Sequence, residues 1–219
     1  MQKTFIICES TKGGTDKKFI NSLISTHNLL KEFKVHTTED TTQKKHGSID
    51  DIKEFIIQGL YNAVVGRYQN ILVIVDAGEN VGKRFDEILL CFKKQKHKDA
   101  FSLQRKIDDP LSNLSNQINV GIFLMPNNKD NGGLETLFLK GLKYNNWQEK
   151  LACIKSYLDC LQKKHIDQTL SINNQDKAKF RIYHSTPNPD GYVHDLLDAV
   201  DINSFSFNNL RAFISQANR

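Results

Sequence analysis

The segment Asn70–Asp76 limits the possible folds of this chain more than any other. It contains five consecutive aliphatic residues, Ile-Leu-Val-Ile-Val, most of them β-branched, and it ends on an acid, Asp76. An uninterrupted run of this kind is typical of a strand buried on both faces, as in a parallel sheet between two layers of helices. The segment therefore predicts the central strand of an α/β fold, with a carboxylate at its carboxyl end.

Apolar patterns on both sides of this strand predict further elements. Strands are predicted at residues 3–8, 33–37 and 118–125, and helices at residues 16–30, 48–64, 82–94, 134–142, 151–161 and 176–183, the first of them capped by Thr15 or Asp16. Alternation of strands and helices favours a mostly parallel sheet with helices on both faces. The sequence thus predicts an α/β core in residues 1–145 and a mainly helical C-terminal extension in residues 146–219, packed on the core as one compact unit.

Composition argues against several classes of protein. The chain has 219 residues, of which 39% are hydrophobic, enough for one packed core. Apolar runs stay below the roughly 18 residues of a membrane-spanning helix, and the short N-terminal run ends on an acid, so neither a membrane protein nor an exported one is expected. Four cysteines without a CxxC spacing argue against a disulfide scaffold or a zinc knuckle, and the expected location is the cytoplasm. The net charge of +5 permits nucleic acid as a partner but does not require it.

Acidic residues follow three of the predicted strands. Glu9 follows the first, Asp76 and Glu79 follow the central one, and Glu135 lies soon after the last. Because the carboxyl ends of parallel strands meet at one edge of the sheet, where ligands bind in such folds, we expect these carboxylates to converge. Close carboxylates repel each other unless a cation joins them, and Mg²⁺ is commonly held by one or two carboxylates. The alternative is that each acid caps the helix that follows it, and the sequence leaves both open.

Four stretches of the chain bear on its family. They are Ile-Val-Asp76-Ala-Gly-Glu79-Asn80-Val-Gly-Lys-Arg84-Phe, Gly121-Ile-Phe-Leu-Met-Pro126-Asn-Asn, Gly133-Leu-Glu135-Thr-Leu-Phe-Leu and Lys177-Ala-Lys179-Phe-Arg181. Together they are similar to a prokaryotic family of uncharacterised Toprim-related proteins. A Glu after the first strand and an Asp at the end of the central strand also resemble the Toprim domain of primases, topoisomerases and overcoming-lysogenization-defect nucleases. The resemblance implies a Toprim-like, Rossmann-like α/β fold.

The same resemblance implies an activity and the residues that perform it. In Toprim domains the Glu acts as an acid or base, and a pair of Asp residues holds Mg²⁺ for phosphodiester chemistry. Carried over, the catalytic residue is Glu9, the ligands of Mg²⁺ or Mn²⁺ are Asp76, Glu79 and Glu135, and the contacts to phosphate or nucleic acid are Lys83, Arg84, Lys179 and Arg181. The implied function is that of a nuclease-like enzyme, with nucleic acid, a second copy of the chain or an operon-encoded protein as partner.

The chain departs from the Toprim pattern at Gly78, where the second Asp of that pair would stand. The longer Glu79 is one replacement for it. The loss of a carboxylate predicts weak or absent nuclease activity with Mg²⁺ and more with Mn²⁺. It also predicts that Gly78→Asp strengthens metal binding, unless Gly78 has a positive φ. The alternative function is a non-catalytic, regulatory protein that binds nucleic acid or a nucleotide and keeps the fold.

Two further patterns carry less chemistry. Residues 77–84 nearly match a phosphate-binding loop, but Arg84 stands where such a loop needs the Ser or Thr hydroxyl that holds Mg²⁺. Cys153 and Cys160 are seven positions apart on a predicted helix and are expected to pack in the core. Neither pattern changes the expected site.

Overall fold

The computed structural model describes residues 3–9, 14–37, 48–112, 114, 116–143, 147–165, 172–185 and 197–218. The strands are β1 (Thr4–Cys8), β2 (Phe33–Thr37), β3 (Asn70–Asp76), β4 (Phe101–Leu103) and β5 (Ile118–Met125). The α-helices are α1 (Thr15–His27), α2 (Ile49–Gln58), α3 (Leu60–Val64), α4 (Val81–Lys94), α5 (Leu134–Leu139), α6 (Trp147–His165), α7 (Ile172–Ser185) and α8 (Asn208–Ser215). Within these ranges, no helix combines the length and the apolar character needed to cross a membrane.

The strands form one sheet in the order β2-β1-β3-β5-β4, and every pairing in it is parallel. β3 lies at the centre, with Leu72 opposite Ile6 of β1 and Val73 opposite Ile122 of β5. The predicted α/β fold with a mostly parallel sheet is therefore confirmed. The sequence pattern does not predict β4, because its three residues are too few to show a periodicity.

Side chains of the sheet alternate between two hydrophobic layers. Ile6, Leu72 and Phe123 belong to the layer that contains α1 and α5 to α8. Ile7 and Val73 belong to the opposite layer, which contains α2, α3 and α4. Burial of the central strands on both faces explains why their sequences are continuously apolar rather than alternating.

The helices after residue 146 contribute to the first of these layers. Phe180 on α7 packs against Phe138 on α5 with ring centroids 5.4 Å apart. Phe213 on α8 lies 5.3 Å from Phe123 on β5, also measured between ring centroids. The C-terminal helices thus share a hydrophobic core with the sheet, and α7 is held close to the carboxyl ends of the strands.

The prediction that Cys153 and Cys160 pack in the core is wrong. Both thiols are exposed. The helix α6 instead buries Ile154, with Leu151 and Leu158 partly buried against the core. Helical spacing places the two cysteines on one face, but α6 carries apolar residues on two faces, and the spacing does not decide which of them turns inward.

Candidate functional site

The carboxyl ends of β1 and β3 lie at a switch point of the sheet. From β1 the chain passes through α1 to β2 on one side, and it then returns to form β3 on the other side. The helix that follows β1 packs on one face and the helix that follows β3 packs on the opposite face, which leaves a crevice between the two strand ends. Ligands of open α/β sheets bind in crevices of this kind. Glu9 directly follows β1, and Asp76 is the last residue of β3.

A pocket of about 230 Å³ lies at this crevice, and we call it the acid pocket. Its lining residues are Glu9, Thr15, Asp16, Asp76, Leu134, Glu135, Phe138, Lys177, Phe180 and Arg181. The acid pocket thus combines four carboxyl groups with two cationic side chains. Of the site residues predicted from the sequence, Glu9, Asp76, Glu135 and Arg181 meet here.

Asp76 lies between the end of β3 and the start of α5. Its Oδ1 accepts a 2.9 Å hydrogen bond from the N–H of Leu134, the first residue of α5. Asp76 therefore does not cap the helix that follows it, α4, where Asn80 is the cap. Gly133 lies directly against the carboxylate, because a Cβ atom added there would meet Oδ2 at 2.4 Å. Burial, together with the charges of Glu9 and Glu135, raises the pKa of Asp76 from 3.8 to about 7. Capping alone does not require a partly buried acid beside other acids, and a perturbed carboxyl group in a cleft is typical of a functional site.

Glu9 shares the electrostatic environment of Asp76. Burial raises the pKa of Glu9 above its ordinary value, while the positive charges of Arg84 and Lys177 and a backbone hydrogen bond from Asp76 oppose the rise. A raised pKa brings a carboxyl group closer to the pH range in which it exchanges protons efficiently in catalysis. Glu9 is therefore suited to an acid or base role.

Asp16 is a member of the acid pocket that the sequence pattern did not assign to it. The sequence suggests it as a cap of α1, but the capping position is Gly14, and no side chain caps the helix there. Burial and the nearby charges of Asp76 and Glu9 raise the pKa of Asp16 well above its ordinary value. The signal that points to Asp16 is its position in the first turn of the helix after an acid-bearing strand end.

Lys177 and Arg181 bring positive charge to the acid pocket from α7. Lys179, predicted as a phosphate contact, does not line this pocket and forms a 3.1 Å ion pair with Asp176 instead. Asp176 also accepts a 2.7 Å hydrogen bond from the hydroxyl of Thr136 on α5. The place predicted for Lys179 is therefore taken by Lys177, and Lys179 belongs to a polar link that fixes α7 on α5.

A second pocket, of about 600 Å³, is lined by residues that follow Asp76 in the chain. Its lining residues are Ala77, Gly78, Glu79, Asn80, Lys83, Arg84 and Glu87. The structure thus groups Glu79 with Lys83 and Arg84, and in this arrangement Glu79 does not supply the carboxylate that is missing beside Asp76. Arg84 connects the two pockets, because its charge lowers the pKa of Glu9 while its Nη1 lies 3.9 Å from Glu87.

Gly78 adopts a backbone conformation that favours glycine. Its φ is +67°, and two backbone hydrogen bonds of 2.8 Å join it to Gly132. The exception attached to the Gly78→Asp prediction therefore applies. A Cβ atom at this position would also lie 3.3 Å from Nη2 of Arg84. A new carboxylate here would therefore pair with the guanidinium group of Arg84 rather than with a metal ion.

We now expect Gly78→Asp to destabilise the protein by about 1 kcal/mol, the usual cost of a positive φ in a residue other than glycine, without a gain in Mn²⁺ affinity. Thermal unfolding and calorimetric titration with Mn²⁺, each compared with the wild type, measure the two quantities. A folded variant that binds Mn²⁺ clearly more tightly would restore the interpretation of Gly78 as a lost ligand position.

The loop at residues 77–84 does not resemble a phosphate cradle in its hydrogen bonds. The N–H of Val81 donates to the side chain of Asn131 at 3.2 Å, and the N–H of Lys83 donates to the side chain of Asn80 at 2.9 Å. A phosphate-binding loop needs such N–H groups for the ligand. The structure agrees with the sequence in disfavouring a nucleotide-triphosphate loop here.

The donor atoms of the acid pocket suit a hard divalent cation, which prefers carboxylate oxygens. Among the described residues, no group of three His, Cys, Asp or Glu side chains is already arranged to hold a metal ion. Mg²⁺ commonly binds through one or two carboxylates, several waters and the phosphate oxygens of a substrate, so it does not require such a group. The residues that fit a cation of this kind are Asp76 with Glu135 or Asp16.

Comparison with known proteins gives a family without an assigned activity. The family model described as "Protein of unknown function (DUF3226)" matches residues 6–215. The chain therefore belongs to this family. Searches of curated proteins and of solved structures find no match.

Proposed function

For this member of the DUF3226 family, we propose a nuclease-like activity on nucleic-acid phosphodiesters that depends on Mg²⁺ or Mn²⁺, at a Toprim-like site. One observation carries the proposal. Glu9 follows β1 and Asp76 ends β3, two adjacent parallel strands at the switch point of the sheet, and both line the same pocket. The charges of Lys177 and Arg181 in that pocket support an anionic substrate.

Each side chain has a role in this proposal. Asp76 with Glu135 or Asp16 would hold the cation, which neutralises charge that develops on a phosphate when it is bound. Glu9 acts as the acid or base, since its raised pKa favours proton exchange nearer to neutral pH. Lys177 and Arg181 hold the scissile phosphate, and their positive charges orient it toward Glu9.

The second pocket would bind a second phosphate group of the same substrate. Lys83 and Arg84 line it, and Arg84 also acts on Glu9 in the acid pocket. A polymer with regularly spaced phosphates would contact both pockets, whereas a single phosphate group would occupy only one. This favours nucleic acid over a small phosphate ester as the substrate.

A second candidate is binding of nucleic acid or a nucleotide without cleavage. The observation that favours it is Gly78 itself, which has no carboxylate to replace the second Toprim Asp and whose positive φ favours glycine. A site with fewer fixed oxygen ligands binds Mg²⁺ weakly, because Mg²⁺ demands near-ideal octahedral geometry.

Cleavage assays separate the two candidates. We expect slow cleavage of single-stranded and duplex DNA and RNA, faster with Mn²⁺ than with Mg²⁺. In Glu9→Gln the rate is expected to fall by about 10²-fold or more, since an acid or base of this kind contributes that much. Asp86→Asn is the matched control, because Asp86 is an exposed acid on α4 outside both pockets. Binding without cleavage under every metal condition would instead establish the second candidate.

A further inference from the structure

Lys177 is the cation of the acid pocket whose charge acts on both strand-end acids. It lines the pocket together with Glu9 and Asp76. Its ammonium group lowers the pKa of each of these two carboxyl groups, against the effect of their burial. In the protein without a bound metal, Lys177 therefore provides part of the positive charge that this cluster of acids needs.

The neighbouring lysine on the same helix has a different position. Lys179 forms an ion pair with Asp176 at 3.1 Å, and Asp176 is further held by Thr136. This link fixes α7 against α5 and so fixes the side of the helix that carries Lys177. The charge at Lys177 is thus placed by the fold beside the acids, two residues from a lysine that has its own partner.

A divalent cation at Asp76 and an ammonium group beside it repel each other. Like charges that line one partly buried pocket repel each other more strongly than they would at an exposed surface. The metal and Lys177 therefore compete for the same negative charge. A phosphate that arrives with the metal changes this balance, because it offers the ammonium group a new anionic partner.

We infer that Lys177 is the internal counter-cation of the acid pocket. Its ammonium group balances the negative charge of Glu9 and Asp76 until a divalent cation and a phosphate group bind together. The inference rests on the proposed function, since it assumes that the acid pocket binds a divalent cation. Its consequence is selectivity: the free protein binds metal weakly, and it binds the metal and the phosphate cooperatively.

Two binding measurements with opposite expected signs test this inference. Calorimetric titration of Mn²⁺ alone is expected to give an affinity about tenfold higher in Lys177→Met than in the wild type, because the competing charge is gone. Binding of inorganic phosphate at saturating Mg²⁺ is expected to be weaker in the same variant. Lys177→Arg keeps the positive charge, so its affinities for Mn²⁺ and for phosphate are both expected to be close to those of the wild type. Lys155→Met, which removes an exposed charge from α6, controls for the change in net charge.

Each outcome has a distinct meaning. Mn²⁺ affinity that is unchanged or lower in Lys177→Met, in a wild type that binds Mn²⁺, overturns the inference and leaves the proposed function standing. A wild type and a Lys177→Met variant that both fail to bind Mn²⁺ overturn the inference and the proposed metal site together. Lys177→Gln is measured in parallel, with thermal unfolding of each variant, so that loss of folding in one variant does not decide the result.

Discussion

In Asp76→Asn, the midpoint of thermal unfolding at pH 8 is expected to lie above that of the wild type. The pKa of Asp76 is about 7 in the folded protein, against an ordinary value of 3.8. Between these two values the folded state binds more protons than the unfolded state, so the stability of the wild type falls as the pH rises from about 4 to about 7. Asn has no charge to bury and keeps an amide oxygen that can accept the hydrogen bond from Leu134.

The expected gain at pH 8 is roughly 2–4 kcal/mol, from the difference between the two pKa values and allowing for neighbouring charges. For a chain of this size that corresponds to about 4–16 °C. At pH 4 the difference between variant and wild type is expected to be small, because Asp76 is then largely protonated. Thermal unfolding at pH 4, 6 and 8 measures the difference in midpoint between Asp76→Asn and the wild type, with Asp86→Asn as the control. Equal or lower stability of Asp76→Asn at pH 8 would mean that the carboxylate acts mainly as a helix cap.

The second large effect is expected at Gly133. Its backbone is extended, with φ −159° and ψ −157°, so an alanine is allowed by the backbone. The Cβ of that alanine would lie 2.4–2.6 Å from the carboxylate atoms of Asp76, too close for any real contact. Gly133→Ala must therefore displace the carboxylate and break its hydrogen bond to Leu134, at a cost of about 1–3 kcal/mol. The same displacement is expected to weaken Mn²⁺ binding.

A double-mutant cycle tests whether this cost arises at Asp76. In an Asp76→Ala background the added methyl group meets no carboxylate, so Gly133→Ala is expected to cost less than about 0.5 kcal/mol there. Chemical denaturation of the four proteins of the cycle gives the free energies of unfolding. An equal cost in both backgrounds would show that Gly133 is required for the turn before α5 and not for the position of Asp76.

The fold follows from the sequence because its signals are local. The aliphatic run of β3 and the shorter runs of β1 and β5 are buried on both faces, and each predicts a parallel strand by itself. Ser48 likewise predicts the start of α2, where its hydroxyl and the carboxylate of Asp51 form a capping box. The exposure of Cys153 and Cys160 was not predictable in this way, since it depends on how α6 is oriented against the rest of the protein.

The candidate site follows from the sequence only where residues lie at strand ends. Glu9 and Asp76 are brought together by adjacent parallel strands, and any such sheet would do the same. Asp16 and Lys177 lie on helices, and their presence in the pocket depends on the rotation of α1 and α7. Glu79 lies only three residues after Asp76, yet it lines the other pocket. Between them the chain turns at Gly78, which has a positive φ and pairs with Gly132, and the sequence does not predict this turn.

The central claim is that the pocket around Asp76 binds a divalent cation, and Mn²⁺-dependent thermal unfolding tests it most directly. At about 100 times the dissociation constant, a ligand that binds only the folded state stabilises it by about 2.7 kcal/mol. That corresponds to about 5–10 °C here. We predict a shift of this kind in the wild type and in Asp86→Ala, and none in Asp76→Ala. The quantity compared is the difference with and without Mn²⁺, because Asp76→Ala also changes the stability of the metal-free protein. An equal shift in Asp76→Ala would place the cation elsewhere and contradict the account.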